Sequence, residues 1–182
     1  TVPYLAHAAM ETVGCVAHMR EGRLEIWGAF QDSLGARYHA AKTSGLDPAQ
    51  VALNHTEMGG AFGRRAFNLD FLDHAIALAR TTEAPVNLIY TREEDMTHDF
   101  YRNASVARMR AILDEEGLPV AVSHHYAERN DPKDASHFPY SLENVDVKFS
   151  TGDNAAPWGA WRSVDHSVQG FFIESFIDEL AH

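Results

Sequence analysis

The strongest chemical signal in this chain is carried by eight residues, Met58–Gly59–Gly60–Ala61–Phe62–Gly63–Arg64–Arg65. Glycines at such a place let the backbone approach a ligand that side chains would hold away. The segment lies between a strand-like run, 50–55, and a helix-like run that begins near Asn68. A turn into a helix leaves amide N–H groups unpaired and directed outward. Arg64 and Arg65 add fixed positive charge at its end, which suits an anionic ligand. Gly59, Gly60, Ala61, Phe62, Gly63, Arg64 and Arg65 therefore read as a cofactor-binding loop. The plainer reading is a structural strand–turn–helix connection. The glycine spacing departs from G-x-G-x-x-G, and the G-K-S/T ending of a phosphate-binding loop is missing, so neither a nicotinamide nor an ATP site is expected.

Other reactive residue types are less organised. The eleven histidines show no H-x-x-x-H spacing with partner acids, and His124–His125, adjacent on a strand, must point to opposite faces. No metal held by protein side chains is expected. Cys15 stands alone in an apolar run and reads as a buried structural thiol; a single cysteine also rules out an internal disulfide. Glu93, Glu94, Asp95 and Asp99 read as a solvated acidic loop after a strand. Glu174 and Asp178 sit at helical spacing on the polar edge of an amphipathic helix. Trp158 and Trp161 are either core residues or a wall of a substrate channel.

The elements that must position these residues follow from periodicity. A strand is placed within Met10–Met19, a turn at Glu21–Gly22, and an alternating strand over 23–29. A helix over 33–42 is ended by Gly45, and Asp47–Pro48 opens the next segment. Phe71, Ala75, Leu78 and Ala79 mark one face of a helix over 68–81. A short buried strand follows at 85–91, and this β–loop–α–β order suggests a crossover unit with parallel strands. Residues 105–114 and 118–128 form a hairpin about Glu115–Glu116–Gly117. A polar surface loop is expected over Asn130–Ser136, a strand at 145–150 before Thr151–Gly152–Asp153–Asn154, and a last helix over 167–181 with Phe172, Phe176, Ile177 and Leu180 on its apolar face. The fold class is α+β, a mixed α/β arrangement of strands with packed helices.

Bulk properties narrow the function. A chain of 182 residues can bury a sizeable core, and one domain over 1–182 is expected. With 45% hydrophobic and 23% charged residues the composition is that of an ordinary globular protein. A formal charge of -11 argues against a nucleic-acid partner. No run approaches the roughly 20 apolar residues of a membrane span, and no signal peptide is visible. The start at Thr1 without methionine, and the end at His182 within a helical pattern, suggest a piece of a larger polypeptide. Compartment stays open between cytoplasm and periplasm.

Two separated segments resemble one known family. Met58–Arg65 is similar to the first molybdopterin-contact loop, commonly G-G-G-F-G, of the xanthine dehydrogenase and aldehyde oxidoreductase family. Ala160–Trp161–Arg162–Ser163–Val164, continuing into 172–180, resembles that family's A-F-R-G-F-G segment and the helix after it. Leu5–Ala6–His7–Ala8–Ala9–Met10–Glu11 looks like its opening segment, and Arg92–Glu93–Glu94–Asp95–Met96 like its R-x-E-D-M strand end. The wording W-R-S-V, P-Y-L-A-H-A and H-D-F-Y-R is most similar to the isoquinoline 1-oxidoreductase large-subunit branch.

The resemblance implies the following. Phe62, with Gly60, Ala61 and Gly63, lies beside the metal of a molybdopterin cofactor in its cytidine dinucleotide form, and Arg162 lines the same pocket. Amide and guanidinium donors suit electron-rich oxo and phosphate groups. Leu5 stands where many members have glutamine, Ala66 where purine-oxidising members have glutamate, and Val164 where those have a stacking phenylalanine. A flat N-heterocycle or an aldehyde is implied rather than a purine. The family's catalytic glutamate lies farther downstream, so no catalytic residue is assigned here and the chain alone is not expected to hydroxylate. Partners would be the remainder of the large subunit and an iron–sulfur subunit, because this chain has no cysteine cluster. Two alternatives remain: a non-catalytic cofactor-carrying or scaffold module, and an unrelated nucleotide-binding α/β protein.

Overall fold

The computed structural model describes residues 1–129, 136–152, 155–164 and 166–182. They divide into two compact units, one of Ala6–Arg102 with Trp158–Trp161, the other of Thr1–Leu5, Asn103–Pro157 and Arg162–His182. The first carries the glycine loop, the second the long hairpin.

In the loop-bearing unit, β1 (Gly14–Arg20), β2 (Arg23–Gly28), β3 (Val51–His55) and β4 (Val86–Ile89) form one sheet in the order β3-β2-β1-β4. Glu21 and Gly22 join β1 to β2 with φ of 51° and 71°, the two left-handed residues that a tight hairpin turn requires. β1 runs antiparallel to β2 and β4, while β2 and β3 are parallel. β3 and β4 therefore point the same way, as the element order predicts, but from opposite edges of the sheet.

Helices α1 (Ser33–Ser44) and α2 (Asp70–Ala79) pack on this sheet. Asp32 caps α1 by accepting the Gly35 N–H at 2.8 Å, and Gly45 ends it at φ 74°, the left-handed exit that glycine favours. Ala36, Ala40 and Ala41 of α1, with Phe71, Leu72, Ala75, Ile76 and Ala79 of α2, meet Val13, Cys15, Ala17, Leu24, Ile26 and Val51 in a single core. Leu78, expected on the buried face, is exposed; it lies roughly 90° around the helix from the centre of that face, and Leu72 and Ile76 take its place.

The acidic stretch departs from expectation. Residues Arg92–Thr97 form a short helix, α3, whose start is capped by the Thr91 hydroxyl, which accepts the Glu94 N–H at 3.2 Å. Glu93 and Glu94 are exposed, but Asp95 and Asp99 are buried. The solvated-loop reading fails at those two because Arg92, a helix neighbour, pairs with Asp95 at 2.9 Å, while the sequence-distant Arg64 and His7 reach Asp99.

In the hairpin unit, β5 (Val106–Leu113), β6 (Pro119–Glu128) and β7 (Asn144–Thr151) form a second sheet in that order, β5 antiparallel and β7 parallel to β6. The Asp114 carboxylate accepts the Glu116 and Leu118 N–H groups and shapes the turn. Helix α4 (His166–Ala181) places Val168 and Phe172 with Val2, Ala107 and Met109. Its predicted face holds, with Phe172 buried and Phe176, Ile177 and Leu180 half-buried. Of the expected loop over Asn130–Ser136, residues 130–135 lie outside the described residues, as do Asp153 and Asn154.

Candidate functional site

β3 and α2 hold the two ends of the glycine loop, and neighbouring side chains fix its course. The Glu11 carboxylate accepts the Gly59 N–H at 2.5 Å, and the Gln31 side-chain oxygen accepts the Gly63 N–H at 2.9 Å. Arg64 N–H turns back to the Ala61 carbonyl at 2.9 Å. Between these ties, the N–H groups of Gly60, Ala61 and Phe62 have no protein acceptor among the described residues. Three successive amide donors without a protein acceptor are the kind of group that binds anions; Phe62 is exposed, Gly60 half-buried and Ala61 buried.

The backbone is bent at these residues. Gly60 and Gly63 have φ of 100° and 108°, and Phe62, with a full side chain, sits at 57°. A non-glycine residue held there costs of order 1–3 kcal/mol and persists only where its surroundings enforce it. Phe62 is 41% exposed, and its ring lies over the Gly60 Cα, where a Cβ would come within 3.0 Å of Cε2. At Gly63 a Cβ would overlap the Ala160 carbonyl oxygen. Gly60 and Gly63 thus make room chiefly for the protein itself.

Arg64 and Arg65 are almost wholly buried, and their guanidinium groups point inward. Arg64 reaches Asp99 Oδ1 at 2.7 Å, Asp70 Oδ1 at 2.8 Å and the Asn68 carbonyl at 2.7 Å, with Phe100 and Phe71 against its planar face. Arg65 donates to the carbonyls of Ala29 and Thr12 and lies 3.5 Å from Glu11. Burial pulls the Arg65 guanidinium below its ordinary range, opposed chiefly by Glu11. Both arginines therefore brace the loop from within. Arg162, in the hairpin unit, is exposed and is followed by Ser163 and Val164 at φ 65° and 51°, a strained course for a β-branched residue.

Several supporting residues escaped the sequence reading. Gln31 lies in unremarkable sequence and Glu11 ends a segment noted only for its family resemblance, yet both anchor the loop. Asp99 is a hub: its Oδ2 accepts the His7 backbone N–H at 2.6 Å and lies 2.9 Å from His7 Nδ1, while its Oδ1 accepts the Phe100 N–H at 2.7 Å. Burial alone would raise the Asp99 pKa, but the His7 and Arg64 donors and charges outweigh it, and the net direction is down. Asp95 is raised instead, by burial first, against the charge of Arg92. Cys15 is buried, and burial pushes its thiol up to about 12, so it is no nucleophile. Among the described residues no group of three or more His, Cys, Asp or Glu is placed to hold a metal ion, and no helix is long and apolar enough to cross a membrane.

The model of the molybdopterin cofactor-binding domain matches residues 1–182, the whole chain. The chain belongs to the molybdopterin cofactor-binding domain family. This bears out the resemblance to the xanthine dehydrogenase and aldehyde oxidoreductase family, and the mixed α+β class with it. A membrane-bound aldehyde dehydrogenase (pyrroloquinoline-quinone) of Gluconacetobacter polyoxogenes is 26% identical over 100% of this chain and 27% of its own length. The aldehyde oxidoreductase molybdenum-binding subunit PaoC of Escherichia coli is 30% identical over 68% of this chain and 17% of its own. The crystal structure of quinoline 2-oxidoreductase from Pseudomonas putida 86 superposes with a TM-score of 0.80 at 21% identity, covering 99% of this chain and 25% of that one. The chain thus spans about a quarter or less of the relatives it matches. Three amides without a protein acceptor among the described residues, on a braced and strained loop, are chemically suited to the electron-rich oxygens of a molybdopterin group; the nearest carboxylate tie is Glu11 on the adjacent Gly59 N–H.

Proposed function

We propose that this chain is the part of a molybdenum hydroxylase large subunit in which the Gly60–Ala61–Phe62 amides receive the cofactor. The observation that carries this reading is the run of three unpaired N–H groups at a surface loop whose shape is enforced from behind. Gly59 and Gly63 serve through the ties to Glu11 and Gln31, and Arg64 and Arg65 through the buried scaffold. The resemblance also assigns the exposed Arg162 guanidinium to an anionic group of the cofactor. When bound, the molybdenum centre provides two-electron oxidation of substrate with oxygen drawn from water. The complete enzyme would act on an aldehyde, the substrate class in the names of two relatives, or on a flat N-heterocycle, as the name of the structural relative suggests. The catalytic base would come from the rest of the subunit, electrons would leave to iron–sulfur clusters on a partner, and the pterin would carry cytidine dinucleotide.

Phe62→Asp and Arg162→Ala in the assembled enzyme test this. The first sets a carboxylate against an anionic ligand, and the second removes a donor. Molybdenum and extractable pterin per subunit should fall with the first, and turnover should fall about tenfold or more with each. Unchanged molybdenum and turnover in both would refute the assigned roles. Recovery of a quinone instead of a pterin from the unmodified enzyme would replace molybdopterin with the group named for the Gluconacetobacter relative.

A further inference from the structure

We propose that His7 is the positioning residue of this loop, acting as a doubly protonated imidazolium that fixes the Ala160 carbonyl against Gly63. His7 is 8% exposed, and each ring nitrogen faces an oxygen: Nε2 lies 2.7 Å from the Ala160 carbonyl and Nδ1 2.9 Å from Asp99 Oδ2. A carbonyl oxygen only accepts, so Nε2 carries a hydrogen. Asp99 is 1% exposed and already takes the His7 and Phe100 backbone N–H groups while facing the Arg64 guanidinium. Surrounded by donors, it is held as a carboxylate, which also only accepts. Nδ1 therefore carries a hydrogen as well. The resulting cation is flanked by the Trp161 ring, with centroids 4.6 Å apart, a favourable face for positive charge.

The contacts close a circuit. Gly63 leaves room for the Ala160 carbonyl, His7 grips that carbonyl, Asp99 grips His7, and Arg64, the next residue after Gly63, grips Asp99. Four sequence-distant segments are tied immediately behind the three free amides. The contacts of His7 are to Asp99, Ala160 and Trp161; its part is to set the loop's shape before the ligand arrives, which lowers the cost of binding.

The test uses the complete subunit in its assembled enzyme. His7→Phe keeps an aromatic ring against Trp161 and removes both donors. Hydrogen exchange at the paired amides of Gly63, Arg64 and Ala66 should become about tenfold faster, with β1 and β2 unchanged; unaltered exchange at these amides would overturn the proposal. Should that variant fail to fold, the unmodified enzyme decides. Solid-state nitrogen NMR of histidine-labelled protein at neutral pH should show both His7 ring nitrogens protonated, and a ring with one bare nitrogen would overturn the proposal. A several-fold loss of molybdopterin in His7→Phe rests on the cofactor reading above. Were the unmodified enzyme to contain no pterin, that reading would fall while the exchange and NMR results still judged the clamp.

Discussion

A single hydrogen separates Gly63 from the Ala160 carbonyl, and that makes this glycine different in kind from Gly60. At Gly63 an added methyl would strike a backbone oxygen that His7 holds in place, at a φ of 108°. Neither obstacle can yield without breaking the buried circuit. At Gly60 the methyl would meet only the Phe62 ring, which is part-exposed and free to swing outward. Gly63→Ala should destabilise the loop-bearing unit by about 2–5 kcal/mol, the combined cost of strain and overpacking. Gly60→Ala should cost about 1–2 kcal/mol, mostly from the backbone conformation. Urea unfolding of the two variants should rank them in that order, and equal midpoints would show that the Ala160 carbonyl is not fixed. The sequence made the glycines conspicuous but not their separate reasons. Residues 63 and 160 are almost a hundred positions apart, and no local pattern announces that a carbonyl will arrive. The same holds for Arg64 and Arg65. Their charge was legible, but its inward direction depends on Asp99, Asp70, Thr12 and Ala29, supplied from both sides in sequence.

At the scale of elements, sequence rules were most informative where a local interaction decides the outcome. Asp32 and Gly45 bracket α1 because a carboxylate can satisfy a free N–H and a glycine can turn left-handed, both within three residues of the helix. Asp32→Ala should therefore destabilise by about 1 kcal/mol while Asp32→Asn should be nearly neutral, read as denaturation midpoints; a neutral alanine would mean the cap is solvent-compensated. In β5 the strand period is plain in the burial: Ala107 and Met109 pack on the core while Arg108 and Arg110 are exposed. Helix α3 shows where such rules fail. Four acids in seven residues look solvated, and two of them are. Asp95 is buried beside Arg92, and Asp99 beside Arg64 and His7; only Arg92 is a sequence neighbour. Tertiary pairing, rather than composition, determines which acids remain in water.

At the scale of the whole molecule, the buried His124 of the hairpin unit and the buried Asp99 of the loop-bearing unit should respond to acid at different pH. In the hairpin unit His124 is fully buried, its two ring nitrogens without partners among the described residues, packed against Tyr126, Phe138 and Phe172. Burial, helped by the neighbouring His125, lowers its pKa from 6.5 to about 4. Folded His124 thus binds its proton later than the unfolded chain does. Stability is unaffected above the unfolded value, falls as pH drops from 6.5 toward 4, and levels off below. The loss is on the order of 3 kcal/mol at its limit. In the loop-bearing unit Asp99 is shifted down, so the stability it contributes persists until pH falls below the ordinary aspartate value of about 3.9 and then through the depressed one. Acid should therefore loosen the hairpin unit first, and two compact units leave room for that separation. Hydrogen exchange of the full subunit, corrected for intrinsic rates, should show β6 losing protection between pH 6.5 and 4.5 while β1 and β2 keep theirs. His124→Phe should flatten the response of β6 without loss of protection at pH 7, because it removes two unpaired polar atoms and keeps the ring. Simultaneous loss in both units, or an unchanged slope in the variant, would locate the acid response elsewhere in the molecule.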